Sequence, residues 1–368
     1  MAIDKVTSAA LATGAVPNQS AFKNIVINGD QSIAQRSTSL SSISSGNSNY
    51  PVDRFRVNLG TAGTWTLSQD TTVPTGQGFA KSIKMDCTTA NGSLSAGSYM
   101  LLQQLIEGQN LQYLKKGTSS AESLTVSFWV YATKTGTNIC ELYDQDNTRH
   151  IAKSYTISSS NTWEKKTITF AGDTSGAFNN DNGASLELNF WLAAGTTYSS
   201  GSLATSWASN TNANRAVGQV NHADSTSNNF YITGVQLEAG TSASDFEFLP
   251  FDINKNRCLR YYYVHAAGAS LEIACGFYYN SGYLTCHIQF PQEMRAPPSL
   301  IKTSGTNYYR AWRANSEDLF DDFNNGIQSP TTTSCGIDGT TGVSGTQGEG
   351  NRIITVGSDS LIAFSAEL

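Results

Sequence analysis

A pair of carboxylates held at a fixed separation cleaves glycosidic bonds, so the acidic residues are the first chemistry to weigh. Asp144 with Asp146, Asp318 with Asp321 and Asp322, and Glu141 or Glu164 are available. Aspartates two residues apart beside Asn147 close turns more often than they catalyse, and nothing in the spacing sets a catalytic separation. A nucleophilic triad fares no better. There is no G-x-S-x-G elbow, and His150, His222, His265 and His287 have no obvious acidic partner nearby to orient the ring. The chain reads as non-enzymatic.

Metal chemistry is equally thin. The cysteines (Cys87, Cys140, Cys258, Cys275, Cys286 and Cys335) form no C-x-x-C pair, and only His287 stands beside one. They read as small, reduced, buried hydrophobes rather than zinc ligands. Asp173, Asn180, Asp181 and Asn182 are hard oxygen donors of the type calcium takes, but no loop carries ion-specific spacing, so Asx turns are expected there. No cofactor is expected; a structural Ca²⁺ is the one ion these donors would suit.

Trp129, Tyr131 and Trp191 offer a different chemistry. Aromatic rings standing on a sheet face stack on the apolar faces of sugars and bury large area at low entropic cost. The competing use of such rings is packing under a loop or at a subunit contact.

Strands must position them. In Ser123–Tyr131, Leu124, Val126, Phe128 and Val130 share one side, leaving Thr125, Ser127, Trp129 and Tyr131 on the other. In Ala184–Leu192 the apolar side is Leu186, Leu188, Phe190 and Leu192, and Glu187, Asn189 and Trp191 lie opposite. Two such strands suit a sandwich with one wet surface. Further strands are expected at Asn24–Ile27, Arg54–Leu59, Tyr99–Ile106, Trp163–Phe170 and Phe230–Glu238. Polar loops are expected at Ser41–Gly46, Ala171–Gly183, Gly195–Asn229 and Ser329–Gly350; connections as long as Gly195–Asn229 are usually functional or held by a partner. After Phe251 the composition turns Tyr-rich, with strands expected at Arg260–Val264, Leu271–Cys275, Gly276–Tyr279, Tyr283–Phe290, Ile353–Val356 and Leu361–Phe364. The organisation is an arm at 1–22, a jelly-roll β-sandwich at 23–250 and a smaller β-sandwich at 251–368: all-β.

Composition agrees. Charged residues make up 14% of the 368, against about a quarter in ordinary soluble domains, and strand formers recur throughout. The net charge of −6, with no local basic run, removes the attraction that drives nucleic-acid binding. Met1–Val16 is too polar for a secretion signal, and no stretch approaches a membrane span.

Ile232-Thr-Gly-Val-Gln-Leu-Glu-Ala-Gly240 followed by Asp245-Phe-Glu-Phe248 resembles the closing motif of a carbohydrate-binding-like jelly-roll module in bacteriophage tail-fibre and minor virion proteins. Lys23–Ser37 with Val52–Arg56 resembles the opening motif, and Gln103–Gln109, Leu124–Val130 and Thr162–Glu164 resemble interior ones. Cys258–Tyr262, Phe290–Pro297 and Ser365–Leu368 are similar to the C-terminal module of the same proteins. The resemblance implies a virion protein, assembled in the host cytoplasm and located on the tail or another particle surface. It implies a homotrimeric tail fibre or receptor-binding subunit that meets a host-surface glycan and joins other virion proteins through its arm, with no membrane insertion. A head-decoration, collar or baseplate component is the alternative. A depolymerising tailspike is weakened by the missing acidic signature and the lack of a solenoid repeat.

Overall fold

The computed structural model describes residues 22–314 and 316–368; the expected arm, apart from Phe22, lies outside them. The chain divides into two units, Met1–Pro250 and Phe251–Leu368.

The first unit contains β1 (Ser39–Val52), β2 (Phe55–Asp70), β3 (Ser82–Thr89), β4 (Tyr99–Glu107), β5 (Leu124–Ala132), β6 (Gly136–Asp144), β7 (Arg149–Ile157), β8 (Glu164–Phe170), β9 (Ala184–Ala194), β10 (Ala208–Ser209) and β11 (Asn229–Ala239). Their hydrogen-bonded order, β10-β7-β6-β9-β4-β2-β3-β11-β5-β8, is continuous, with β1 alongside β2. It nevertheless makes a jelly-roll sandwich, because β2 serves two sheets. Arg56–Gly60 pairs with β4, whereas Thr64–Asp70 pairs with β3. The change of direction falls at Thr61–Gly63. Gly63 sits at φ +79°, and a Cβ there would lie 2.5 Å from the Thr89 carbonyl oxygen, so only glycine makes this corner.

Alternation then builds the core. Leu124, Val126, Phe128 and Val130 of β5, and Leu186, Leu188, Phe190 and Leu192 of β9, are all buried in one cluster. The Phe128 ring meets Phe190 at 4.9 Å and Tyr155 at 5.1 Å, which ties one sheet to the other. Each such ring contributes about 1.5–3 kcal/mol on burial.

The β11 motif is a latch. Gln236 donates to Ser244 Oγ at 2.9 Å and accepts from the Glu247 backbone at 2.8 Å, and Glu238 accepts from the Ser244 backbone at 2.8 Å. The turn after Gly240 is thereby folded back on the strand, which sets Phe246 and Phe248 against Phe79 with ring centroids 5.1 Å away in each case.

The second unit opens with a helix, α1 (Phe251–Leu259). Ten strands follow: β12 (Tyr262–Ala267), β13 (Glu272–Asn280), β14 (Tyr283–Gln289), β15 (Ser299–Lys302), β16 (Tyr309–Arg313), β17 (Ser316–Phe320), β18 (Gly326–Gln328), β19 (Ser334–Gly339), β20 (Gly350–Thr355) and β21 (Leu361–Ser365). A three-stranded sheet, β12-β21-β15, and a seven-stranded sheet, β17-β16-β20-β13-β14-β19-β18, share a core that includes Tyr278, Phe290, Tyr309, Phe320 and Phe364.

Four expectations are corrected. Ser41–Gly46 is not a free loop but part of β1, paired to β2 through repeated register shifts. Ser329–Gly350 contains β19, whose Cys335 and Ile337 are buried. Leu271–Cys275 and Gly276–Tyr279 form the single strand β13. Asn24–Ile27 is buried without being a strand: the Asn24 amide donates to the Val235 carbonyl at 3.1 Å and accepts from the Leu237 backbone at 3.1 Å.

Candidate functional site

The residues opposite the core on β2, β4, β9 and β6 form a ladder on the outer face of one sheet. The registers align Arg56, Gln103, Asn189 and Glu141 in one row, and Asn58, Leu101 and Trp191 in the next. This face is not open. The long Gly195–Asn229 connection folds over it and lays a helical turn, Thr196–Ser199, and Arg215–Ala216 on the sheet. The Tyr198 ring packs on Trp191 at 5.4 Å and on Tyr99 at 5.6 Å. The Ala152 backbone of β7 donates to the Ala204 carbonyl at 2.7 Å, and β10 pairs with β7, so the connection is stapled to that strand at two points.

Between the connection and the sheet lies a cleft of about 270 Å³. Leu101, Gln103 and Trp191 of the sheet line it together with Asn58, Tyr99, Tyr143, Glu187, Tyr198 and Arg215. Glu141 lies beneath, fully buried. Arg215 clamps it with two bonds of 2.7 and 2.9 Å, and Trp191 Nε1 at 3.1 Å and Asn189 Nδ2 at 3.2 Å add to Oε2. His150 Nδ1 stands 3.1 Å from Oε1. Burial alone would raise the Glu141 carboxyl; Arg215 and His150 outweigh it and hold the group at about 2. Arg215 in turn lies over the Tyr143 and Trp191 rings at 4.9 and 5.3 Å.

Gln103 is locked. Its Nε2 donates to Asn189 Oδ1 at 2.8 Å and to Glu187 Oε2 at 3.2 Å, which fixes the amide with Oε1 as an acceptor. Gln103 is 2% exposed, and its Oε1 is closed off from the cleft and has no hydrogen-bond partner among the described residues. A buried acceptor left alone costs about 1–3 kcal/mol.

Of the residues picked out by alternation, Trp191 is in this site but fully buried, as floor and not as a free stacking platform. Trp129 and Tyr131 project from β5, in the opposite sheet, so the three do not share a surface. Trp129 borders a hollow of about 290 Å³ with Phe79, Phe246 and Phe248. Tyr131 packs against Tyr231 at 5.1 Å and Trp163 at 5.6 Å. Tyr99, Gln103, Tyr198 and Arg215 were not legible from alternation alone. His150 has an acidic partner after all, Glu141, on the neighbouring strand.

Two of the expected calcium donors are already engaged within the protein. The Asp173 carboxylate is taken by Arg149 at 2.8 Å and by the buried Lys116 ammonium at 3.1 Å, and Asp181 caps the Gly183 backbone at 2.8 Å. Lys116 Nζ also reaches Asp144 at 2.5 Å and the carbonyls of Ser175 and Gly176 at 3.0 and 2.6 Å. The side chain's own ammonium fills this oxygen cage. Among the described residues no group of three or more His, Cys, Asp or Glu side chains is placed to hold a metal ion.

No helix among the described residues is long and apolar enough to cross a membrane. No family model matches the chain, and no curated protein matches it. Solved structures do. The enzymatically active domain of tailspike protein 4 from bacteriophage CBA120 matches with TM-score 0.31 and 15% identity, over 59% of this chain and 21% of that one. The chain thus spans about a fifth of that tailspike's length. A CBM4 module matches with TM-score 0.30 and 11% identity, over 58% of this chain and 97% of the module. A family 11 carbohydrate-binding module of a Clostridium thermocellum cellulase matches with TM-score 0.29 and 12% identity, over 55% and 99%. Likeness at these scores carries no functional argument, which rests instead on the cleft.

Proposed function

We propose that the chain is a bacteriophage virion protein, a tail-fibre or receptor-binding subunit, whose jelly-roll unit holds a host-surface saccharide in the Tyr99–Tyr198 cleft without cleaving it. The proposal includes a homotrimer joined to the particle through the N-terminal residues, as the sequence resemblance implies. The observation that carries the binding reading is the cleft's composition. Tyrosine rings stand beside a fixed amide, a carboxylate and an indole around a space large enough for a sugar ring. Absence of catalysis is supported by Glu141. Its two oxygens already receive contacts from Arg215, Trp191, Asn189 and His150, so it offers neither a free nucleophile nor an exchangeable proton.

The test is adsorption to host cells and binding to their purified polysaccharide. Tyr198→Ala should weaken binding by about 1–3 kcal/mol, as truncation of an aromatic contact does, with the melting temperature nearly kept. Trp191→Ala should instead unfold the protein more easily, by about 3–5 kcal/mol, because it empties a buried indole site. Polysaccharide incubated with the wild type should release no reducing ends. Binding untouched by Tyr198→Ala would remove the cleft from the reading, and sugar release would overturn its non-enzymatic part. Labelling the particle with antibody separates a fibre from a head-decoration, collar or baseplate position.

A further inference from the structure

The cleft has an electrical and hydrogen-bonding sign. Two carboxylates, Glu141 and Glu187, act on the single guanidinium of Arg215. Arg215 spends its bonds on Glu141. Glu187 is held only by amides: Gln103 at 3.2 Å, Asn189 at 3.0 Å and Gln145. Amide donors hold a carboxylate in place without cancelling its charge. The wall therefore presents the Glu187 carboxylate, whose hydrogen-bond partners are all neutral amides, at a residue only 8% exposed, where water screens it poorly. Arg56 stands beside Gln103 on β2 but does not line the cleft. Tyr143 stays a neutral phenol, since burial raises its titration, and Glu187, Glu141 and Asp144 raise it further against the pull of Arg215.

We infer that the cleft admits neutral and amine-bearing saccharides and rejects acidic ones, with Glu187 as the specificity-determining residue. The inference rests on the proposed saccharide binding. A hydroxyl or ammonium group finds the acceptor site that Gln103, Asn189 and Gln145 leave open on Glu187. A uronate sets a carboxylate against a carboxylate, and like charges brought together in a poorly hydrated site are strongly repelled.

The experiment is titration of the full chain, followed by NMR, with methyl β-glucoside, the matched methyl β-glucuronide and methyl β-glucosaminide, and with the same three in the galacto series. Within the series that binds, the uronide should bind at least about tenfold more weakly than the neutral glycoside, and the amino sugar at least as well as the neutral one. Glu187→Gln should narrow the gap between neutral and acidic sugar. Its side-chain oxygen still accepts from Gln103 and Asn189, and a rotated Gln145 amide meets its new N–H, so the fold is kept. Wild type binding uronide and neutral glycoside equally overturns the selectivity while leaving saccharide binding intact, and so does a gap that Glu187→Gln leaves unchanged. Binding of none of the sugars overturns the binding reading and the selectivity with it.

Discussion

Glu141 and His222 are buried groups whose ionisation states the fold has chosen, and their shifts push stability in one direction. Glu141 titrates near 4.5 in an unfolded chain and at about 2 when folded. The stability its ionised form contributes is complete above 4.5 and is lost as pH falls toward 2. His222 is fully buried, with Nε2 2.7 Å from Asn138 Oδ1; burial first, then Lys134, depresses it from 6.5 to about 3 against Asp224. Its folded form is neutral, so stability is intact above 6.5 and declines as pH falls through that value toward 3. Denaturant midpoints followed by tryptophan fluorescence should therefore fall in two stages, below pH 6.5 and more steeply below 4.5. His222→Gln should flatten the first stage alone. A midpoint constant from pH 7 to 4 in the wild type would contradict both assignments. None of this was legible in the sequence: Glu141 meets His150 through the β6–β7 register and Arg215 across 74 residues, distances that alternation does not resolve.

At the scale of elements, the strands with a clean apolar side were readable because side-chain period and core coincide; β5, β9 and β11 are examples. Ser41–Gly46 and Ser334–Gly339 were not, since serine and glycine are weak strand formers and a neighbouring strand imposes the pairing. The α1 helix did leave signals: Pro250 just before it, Asp252 in its first turn and Arg257 in its last. The Gly195–Asn229 connection was recognisable as too long to be idle, but not what it covers. The Ala171–Gly183 loop is held by the Lys116 cage, and that can be tested. Lys116→Met keeps an unbranched apolar stem but strips the ammonium from Asp144 and Asp173, both buried, and from over the Phe178 and Trp207 rings. Removing one partner of a buried ion pair costs about 3–5 kcal/mol, so unfolding by denaturant should shift by about that much at pH 7. The deficit should shrink in acid, as the stranded carboxylates protonate. A loss unchanged by acid would point to packing rather than charge.

For the whole molecule, each sheet and each large buried cluster is contained within one unit: the first core gathers residues from Ile25 to Leu237, and the second from Ala266 to Ala366. Cores that share no residue unfold separately, because the cooperative unit is the set of side chains that lose their neighbours together. Residues 23–250 and 251–368, expressed alone, should each show β-rich circular dichroism and a sigmoidal denaturant transition. The transitions of the full chain should be the superposition of the two. Fluorescence assigns them, because Trp312 alone of the six tryptophans lies beyond Pro250. Saccharide affinity should travel entirely with the first fragment, whose Tyr99, Gln103, Tyr198 and Arg215 complete the cleft without any residue of the second. If the cleft is built as argued, fragment and full chain bind the same sugar with the same constant and lose it together on Tyr198→Ala. Failure of both fragments to fold would mean one continuous cooperative unit. Affinity found only in residues 251–368 would move the recognition site to the second sandwich, where Phe277, Tyr279 and Trp312 are among the exposed large side chains.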